Sequence, residues 1–214
     1  MSARTWRASL NRGLGNRRTR ILGVALIALG VVGKLVLRDY ANFETVFVAS
    51  FLAGSVLGRW WTWLVPFATL VILEPLLWGT AYGSYTIDVV LGLTFFIATG
   101  YLFIAFVGGR VRPRILFRVG SLALLTTLSI PLTIAYDLWT DIGEYAFIAR
   151  PLGLTFWNVL ELQVPFTIYH LLSSLIFVPL FGAGVLWLHR VAWSAEEETA
   201  APEPTGPSKP AEPP

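Results

Sequence analysis

The chain has 214 residues, 55% of them hydrophobic and 14% charged, with a mean hydropathy of +0.65. A soluble domain carries about 25% charged residues, so lipid must cover much of this surface, and an integral membrane protein is expected. Two histidines and no cysteine exclude disulfides, thiolate nucleophiles, iron–sulfur clusters and His- or Cys-rich metal sites.

The first segment, residues 1–20, carries Arg4, Arg7, Arg12, Arg17, Arg18 and Arg20 with no acid. With the apolar run Ile21–Gly33 it has the charge and length of a signal peptide, but no small-x-small cleavage site follows. Extension past Lys34 to residue 37 gives about the minimum span, with Lys34 snorkelling outward. An uncleaved first helix is the preferred reading. A second span is predicted over 43–58, short and rich in small residues. After a turn at Arg59-Trp60 a third follows over 61–78, broken near its end by Glu74-Pro75. A fourth is predicted over 89–107, then a basic stretch with Arg110, Arg112, Arg114 and Arg118 around Pro113.

The fifth span is predicted over 115–136, kinked by Pro131. Residues 137–163 then read as the longest connection, an outer loop or lid whose apolar stretches are too short to cross. The last span covers 164–189, and the Pro- and Glu-rich residues 191–214 read as a disordered cytoplasmic tail. The expected architecture is all-α: a bundle of six transmembrane helices over 21–190 with both termini cytoplasmic in a cell membrane. Thirteen of the sixteen Lys/Arg then lie inside, as the positive-inside rule requires. Tryptophans mark both interfaces, with Trp60, Trp61, Trp63, Trp187 and Trp193 inside and Trp78, Trp139 and Trp157 outside. The net charge of +3 thus follows from topology and anionic lipid headgroups, and no nucleic-acid partner is expected.

Acids contribute little to topology, so their placement needs a separate cause. Asp39, Glu44, Glu74, Asp88, Asp137, Asp141, Glu144 and Glu161 all fall at or near the outer ends. The densest group is Tyr136, Asp137, Trp139, Asp141, Glu144 and Tyr145. Charges at a wet boundary need no function, but carboxylates alternating with aromatic rings suit a ligand with a cationic or planar portion. If the fifth helix continues through Asp141, then Asp137 and Asp141 share a face one turn apart, and their repulsion calls for a cation or a shared proton. His170, Ser173 and Ser174, two turns into the last span, are candidates for the pocket floor. The plain alternative for His170 is a helix–helix hydrogen bond. Glu161 and Gln163 would complete the group, and Glu74, an acid beside a proline near membrane depth, is a further substrate-binding candidate.

Ala49, Ala53, Gly54 and Gly58 place small residues at helical spacing, which lets a neighbouring helix approach closely. That neighbour is either internal, the commoner case, or part of another protein. No nucleophile–base–acid set, phosphate loop or spaced pair of metal ligands stands in the sequence, so neither catalysis nor a cofactor is expected.

Three stretches carry a family likeness: Asn42-Phe43 leading into Ala49–Gly58, the block Tyr136–Tyr145, and Val164-Pro165-Phe166 running through His170 and Ser174. Over roughly residues 20–190 the chain resembles the substrate-capturing S components of energy-coupling-factor vitamin transporters, and more closely a group of S-component-like membrane proteins. The resemblance implies a compact six-helix bundle with an outward pocket for a vitamin-like small molecule. It also implies two kinds of partner, a transmembrane coupling protein and a pair of cytoplasmic ATPases. In the family an Ala-x-x-x-Ala patch on the first helix contacts the coupling protein. Here Ala25 and Ala28 have a different interval, and the family's interval is found at Ala49 and Ala53 in the second helix. Two other readings stand beside this one: an assembly subunit of a membrane complex without small-molecule transport, and an enzyme acting on lipid or isoprenoid.

Overall fold

The computed structural model describes residues 15, 17–40, 42–58, 60–81, 83–115 and 119–200, and among them every regular element is helical. Six α-helices follow in order: α1 (Arg17–Val36), α2 (Thr45–Leu52, continued by a π turn over Ala53–Leu57), α3 (Trp61–Ala81), α4 (Ile87–Val111), α5 (Val119–Glu144) and α6 (Phe156–Ala200). Four of them, α1, α4, α5 and α6, are long and apolar enough to cross a membrane, while Thr45–Leu57 and Trp61–Leu77 form shorter apolar helices.

The arrangement is a ring around a centre. Contacts run from α1 to α3, α4, α5 and α6, with a thinner seam between α6 and α1. Inside that ring stands α2, every residue of which is buried from Thr45 to Leu57. A helix that is apolar on all sides belongs in a core, and TVFVASFL has no polar face to give to water or headgroups. The outside is apolar as well. Phe67, Phe95, Leu180 and Trp187 are all exposed, on a scale of surface that in water would drive association and that lipid accommodates.

Close backbone approach fixes α2 against α4. A Cβ on Gly54 would lie 1.9 Å from the carbonyl oxygen of Ala105, and one on Gly108 would lie 2.7 Å from that of Phe51. The contact coincides with the π turn, a local widening that often marks a special packing site. Ala49 and Ala53 are fully buried, so the small-residue stripe is consumed within the chain and leaves no face for a second protein. Gly58 ends the helix at φ +64°, a conformation in which side chains are rare.

Several sequence expectations are corrected. Glu74-Pro75 does not break α3, which runs through both Pro66 and Pro75; an interrupted backbone facing lipid costs more than the bond a proline removes. Residues 137–144 are not loop but the last two turns of α5, followed by a π turn over Tyr145–Ala149 and a 3-10 turn over Arg150–Leu152. Gly153 at φ +76° ends the run. Next, Asn158 Oδ1 accepts from the Thr155 hydroxyl at 2.7 Å and from its N–H at 2.9 Å, a reciprocal cap that starts α6 eight residues earlier than expected. The same helix continues to Ala200, so part of the expected tail is helical, and residues 201–214 lie outside the described residues. At the other terminus Arg17–Arg20 already belong to α1, while residues 1–14 lie outside the description. Trp61 is buried beneath Gly23 and is no interface marker.

Candidate ligand cavity

The central helix is shorter than its surroundings. From Thr45 to Leu57 it measures about 20 Å, whereas the 25 residues of α4 measure about 38 Å. Its first residue is level with the interior of the ring, since Thr45 Oγ1 donates to the carbonyl of Gly30 at 3.2 Å. Glu44 likewise meets Tyr101, which stands about 21 Å along α4. Beyond the N-terminus of α2 the ring therefore encloses space, a cavity of about 350 Å³ to which all six helices contribute.

Glu44 forms the floor. As N-cap of α2 it holds an extended backbone and makes no side-chain cap. Its carboxylate pairs instead with Lys34 of α1 and accepts from the Tyr101 hydroxyl at 2.8 Å. Its own N–H donates to Ser173 Oγ at 3.0 Å. The positive end of the α2 dipole adds to the stabilisation of this buried anion.

Beside it lies a second pair. His170 Nδ1 is 2.6 Å from Asp137 Oδ1. A carboxylate has no proton to give, so the ring nitrogen donates. The His170 ring is 1% exposed and Asp137 6%. Phe47 and Tyr136 meet the imidazole edge-on at 5.1 and 5.5 Å. Tyr136 in turn stacks on Tyr101 at 4.8 Å with 22° between planes. Asp137 Oδ2 and His170 Nε2 are buried without a hydrogen-bond partner.

The walls differ in character. From α5 come Asp137, Asp141 and Glu144, at i, i+4 and i+7 on one helical face. Glu144 Oε2 accepts from Gln163 Nε2 of α6 at 2.5 Å. Opposite, α3 supplies Leu70, Leu73 and Leu77 together with Glu74, whose Oε2 accepts from Thr94 at 3.2 Å. Five carboxylates thus face the cavity with Lys34 and His170 as the basic side chains. Two carboxylates one turn apart, near 6 Å, repel by about 3 kcal/mol at an effective dielectric of 20. A cation or proton relieves that repulsion.

Of the sequence candidates, Glu74, Tyr136, Asp137, Asp141, Glu144 and His170 line the cavity. Five others do not. Trp139 lies two residues, some 200°, round α5 from Asp137; its Nε1–H donates to Thr99 at 2.9 Å and its ring packs on Phe96. Tyr145 packs edge-on against Phe156 at 5.6 Å in the turn beyond α5. Glu161 is exposed, since α6 turns Gln163 inward and therefore Glu161 outward. Ser173 and Ser174 lie below the floor: Ser173 anchors the Glu44 backbone, and Ser174 accepts from Thr133 at 3.2 Å.

Sequence reasoning missed Lys34, Tyr101 and the role of Glu44. Lys34 does not snorkel outward but turns inward to Glu44. The available signal was the pairing itself, since the charges flanking a short inter-helix connection have opposite signs. Family models, curated proteins and solved structures yield no match to this chain, so the site is interpreted from its own geometry.

Proposed function

We propose that this chain is an integral membrane subunit that binds a small solute for uptake, with the cavity as its binding site. The observation that carries this reading is the cavity of about 350 Å³ built from all six helices and lined by buried charge. Pockets for small molecules are concave, mostly apolar and furnished with a few placed polar groups. Buried ionisable groups in a membrane bundle are costly, which makes a functional cause for them the default.

The proposed topology has six crossings with both termini cytoplasmic. Arg17, Arg20, Arg110, Arg112 and Arg114 belong to the ends of α1 and α4 remote from the cavity, consistent with the positive-inside rule. The cavity then faces outward. Although α2 is too short to span alone, the ring encloses it, so it need not match the bilayer. The likeness to S components supplies the rest of the proposal: a coupling protein and two ATPases would provide energy. With Ala49 and Ala53 buried, such a partner would dock on the ring helices and not on the α2 stripe.

The test is gentle purification from native membranes followed by mass spectrometry of retained small molecules and co-purifying proteins. A retained solute, displaced in an Asp137→Asn variant of unchanged melting temperature, supports the reading. A stoichiometric membrane complex with no solute, and no solute dependence of stability, would replace it with the assembly-subunit reading.

A further inference from the structure

Charge and hydrogen-bonding capacity in the cavity limit what can fill it. Glu44 is already met by the Lys34 ammonium, and Asp137 by a hydrogen bond from the His170 ring. Among the described residues Glu74 and Glu144 accept only from the neutral side chains of Thr94 and Gln163, and no cation meets Asp141. A neutral His170 ring gives Asp137 a hydrogen bond but no charge, so among the described residues four carboxylates, Glu74, Asp137, Asp141 and Glu144, lack a cationic partner. Independently of that acidic surplus, two polar atoms deep in the lining are orphaned, Asp137 Oδ2 and His170 Nε2. A buried polar group without a partner costs about 1–3 kcal/mol, and more when charged. Asp137 Oδ2 can only accept. With Nδ1 donating to Asp137, the neutral imidazole has its lone pair on Nε2 and accepts as well.

We infer that the ligand is a small organic cation bearing N–H donors, such as an amine, amidine or guanidine. The inference rests on the proposal that the cavity binds a solute, and it specifies the chemistry of that solute. Positive charge offsets that of Asp137, Asp141, Glu144 and Glu74, and N–H groups satisfy the orphaned acceptors. An anion would add to the repulsion. A quaternary ammonium ion would bring charge without donors and leave both acceptors unmet. A metal ion is disfavoured for a different reason: among the described residues no three His, Asp or Glu side chains converge to hold one. The carbon portion of the ligand has a place against Leu70, Leu73 and Phe166 and the Tyr136 ring, whose face also attracts cations.

Four probes of similar size separate these properties. Benzamidine has charge and donors, phenyltrimethylammonium has charge alone, benzamide has donors alone, and benzoate has the opposite charge. Each is titrated against the full-length protein in nanodiscs, with tryptophan fluorescence and melting temperature as readouts, and the molecule retained from native membranes is identified in parallel.

Benzamidine is expected to bind about tenfold or more tightly than the other three, the worth of one charged hydrogen bond. Asp137→Asn, and separately the pair Asp141→Asn and Glu144→Gln, should each weaken it about tenfold or more. Glu161→Gln, on the outer surface, should not change it. Equal binding of phenyltrimethylammonium overturns the donor requirement. Tighter binding of benzoate or benzamide, or a retained ligand that is not an N–H cation, overturns the inference while leaving a solute-binding subunit intact. No binding by any probe together with no retained molecule overturns both.

Discussion

Lys34 and Glu44 show how much one buried pair can decide. Lys34 is 27% exposed in its side chain and Glu44 only 8%, so removal of the cation leaves a carboxylate stranded between helices. Breaking such a pair costs about 3 kcal/mol. Lys34→Met is expected to lower the melting temperature in detergent, and adding Glu44→Gln should restore most of the loss. A double-mutant cycle measures this directly, and additive losses would show that the two side chains are not coupled. Residue-level reasoning from sequence singled out Glu74, Asp137, Asp141 and Glu144, which line the cavity, but grouped the exposed Glu161 with them and assigned Lys34 to the interface. A lysine near the end of an apolar helix ordinarily snorkels, and nothing local distinguishes one that turns inward. The distinction depends on Glu44, ten residues away across a turn that sequence cannot orient.

At the scale of elements, the contact between α2 and α4 tolerates no added atom. Gly54→Ala places its methyl group 1.9 Å from a backbone oxygen, and a backbone, unlike a flexible side chain, cannot swing aside. The expected cost is about 1–3 kcal/mol from overpacking. It should be visible as a lower melting temperature, whereas Gly184→Ala, with open space around it, should be neutral. If both behave alike, the close approach is wrong. The small-residue stripe was legible in sequence because spacing is a local property, but its partner was not. The end of α5 was misread for the opposite reason. Its inner face carries Asp137, Asp141 and Glu144 because it lines a cavity, so hydropathy falls there while the helix continues. Polar residues at i, i+4 and i+7 contain the helical period, and that period was the better guide than hydropathy. The caps at Gly153 and Thr155–Asn158 were equally readable and place the break between α5 and α6 where it occurs.

For the whole molecule, the absence of cysteine makes topology directly measurable. Ser84→Cys, between α3 and α4, and Arg114→Cys, after α4, provide one reporter at each end of the bundle. In intact cells the first should react with an impermeant maleimide and the second only after permeabilisation. The reverse pattern would turn the cavity toward the cytoplasm and replace uptake with release or sensing. Membrane character and an all-helical fold were plain from composition and hydropathy, because lipid imposes them along the whole chain. The ring-and-centre arrangement was not, since it depends on which helices touch.

The enclosed position of α2 also bears on biogenesis. At about 20 Å it falls well short of the ~30 Å hydrocarbon layer, and nothing about it alone would hold it across a bilayer during synthesis. It packs on α1, made before it, but its place is completed by neighbours that are translated afterwards, α6 among them. A nascent chain halted after α2 should therefore leave Ser50→Cys open to aqueous labelling, and that access should close only once α6 has emerged from the ribosome. The cavity would then come into existence only once α6 is made, when the ring shuts around a segment synthesised well before it.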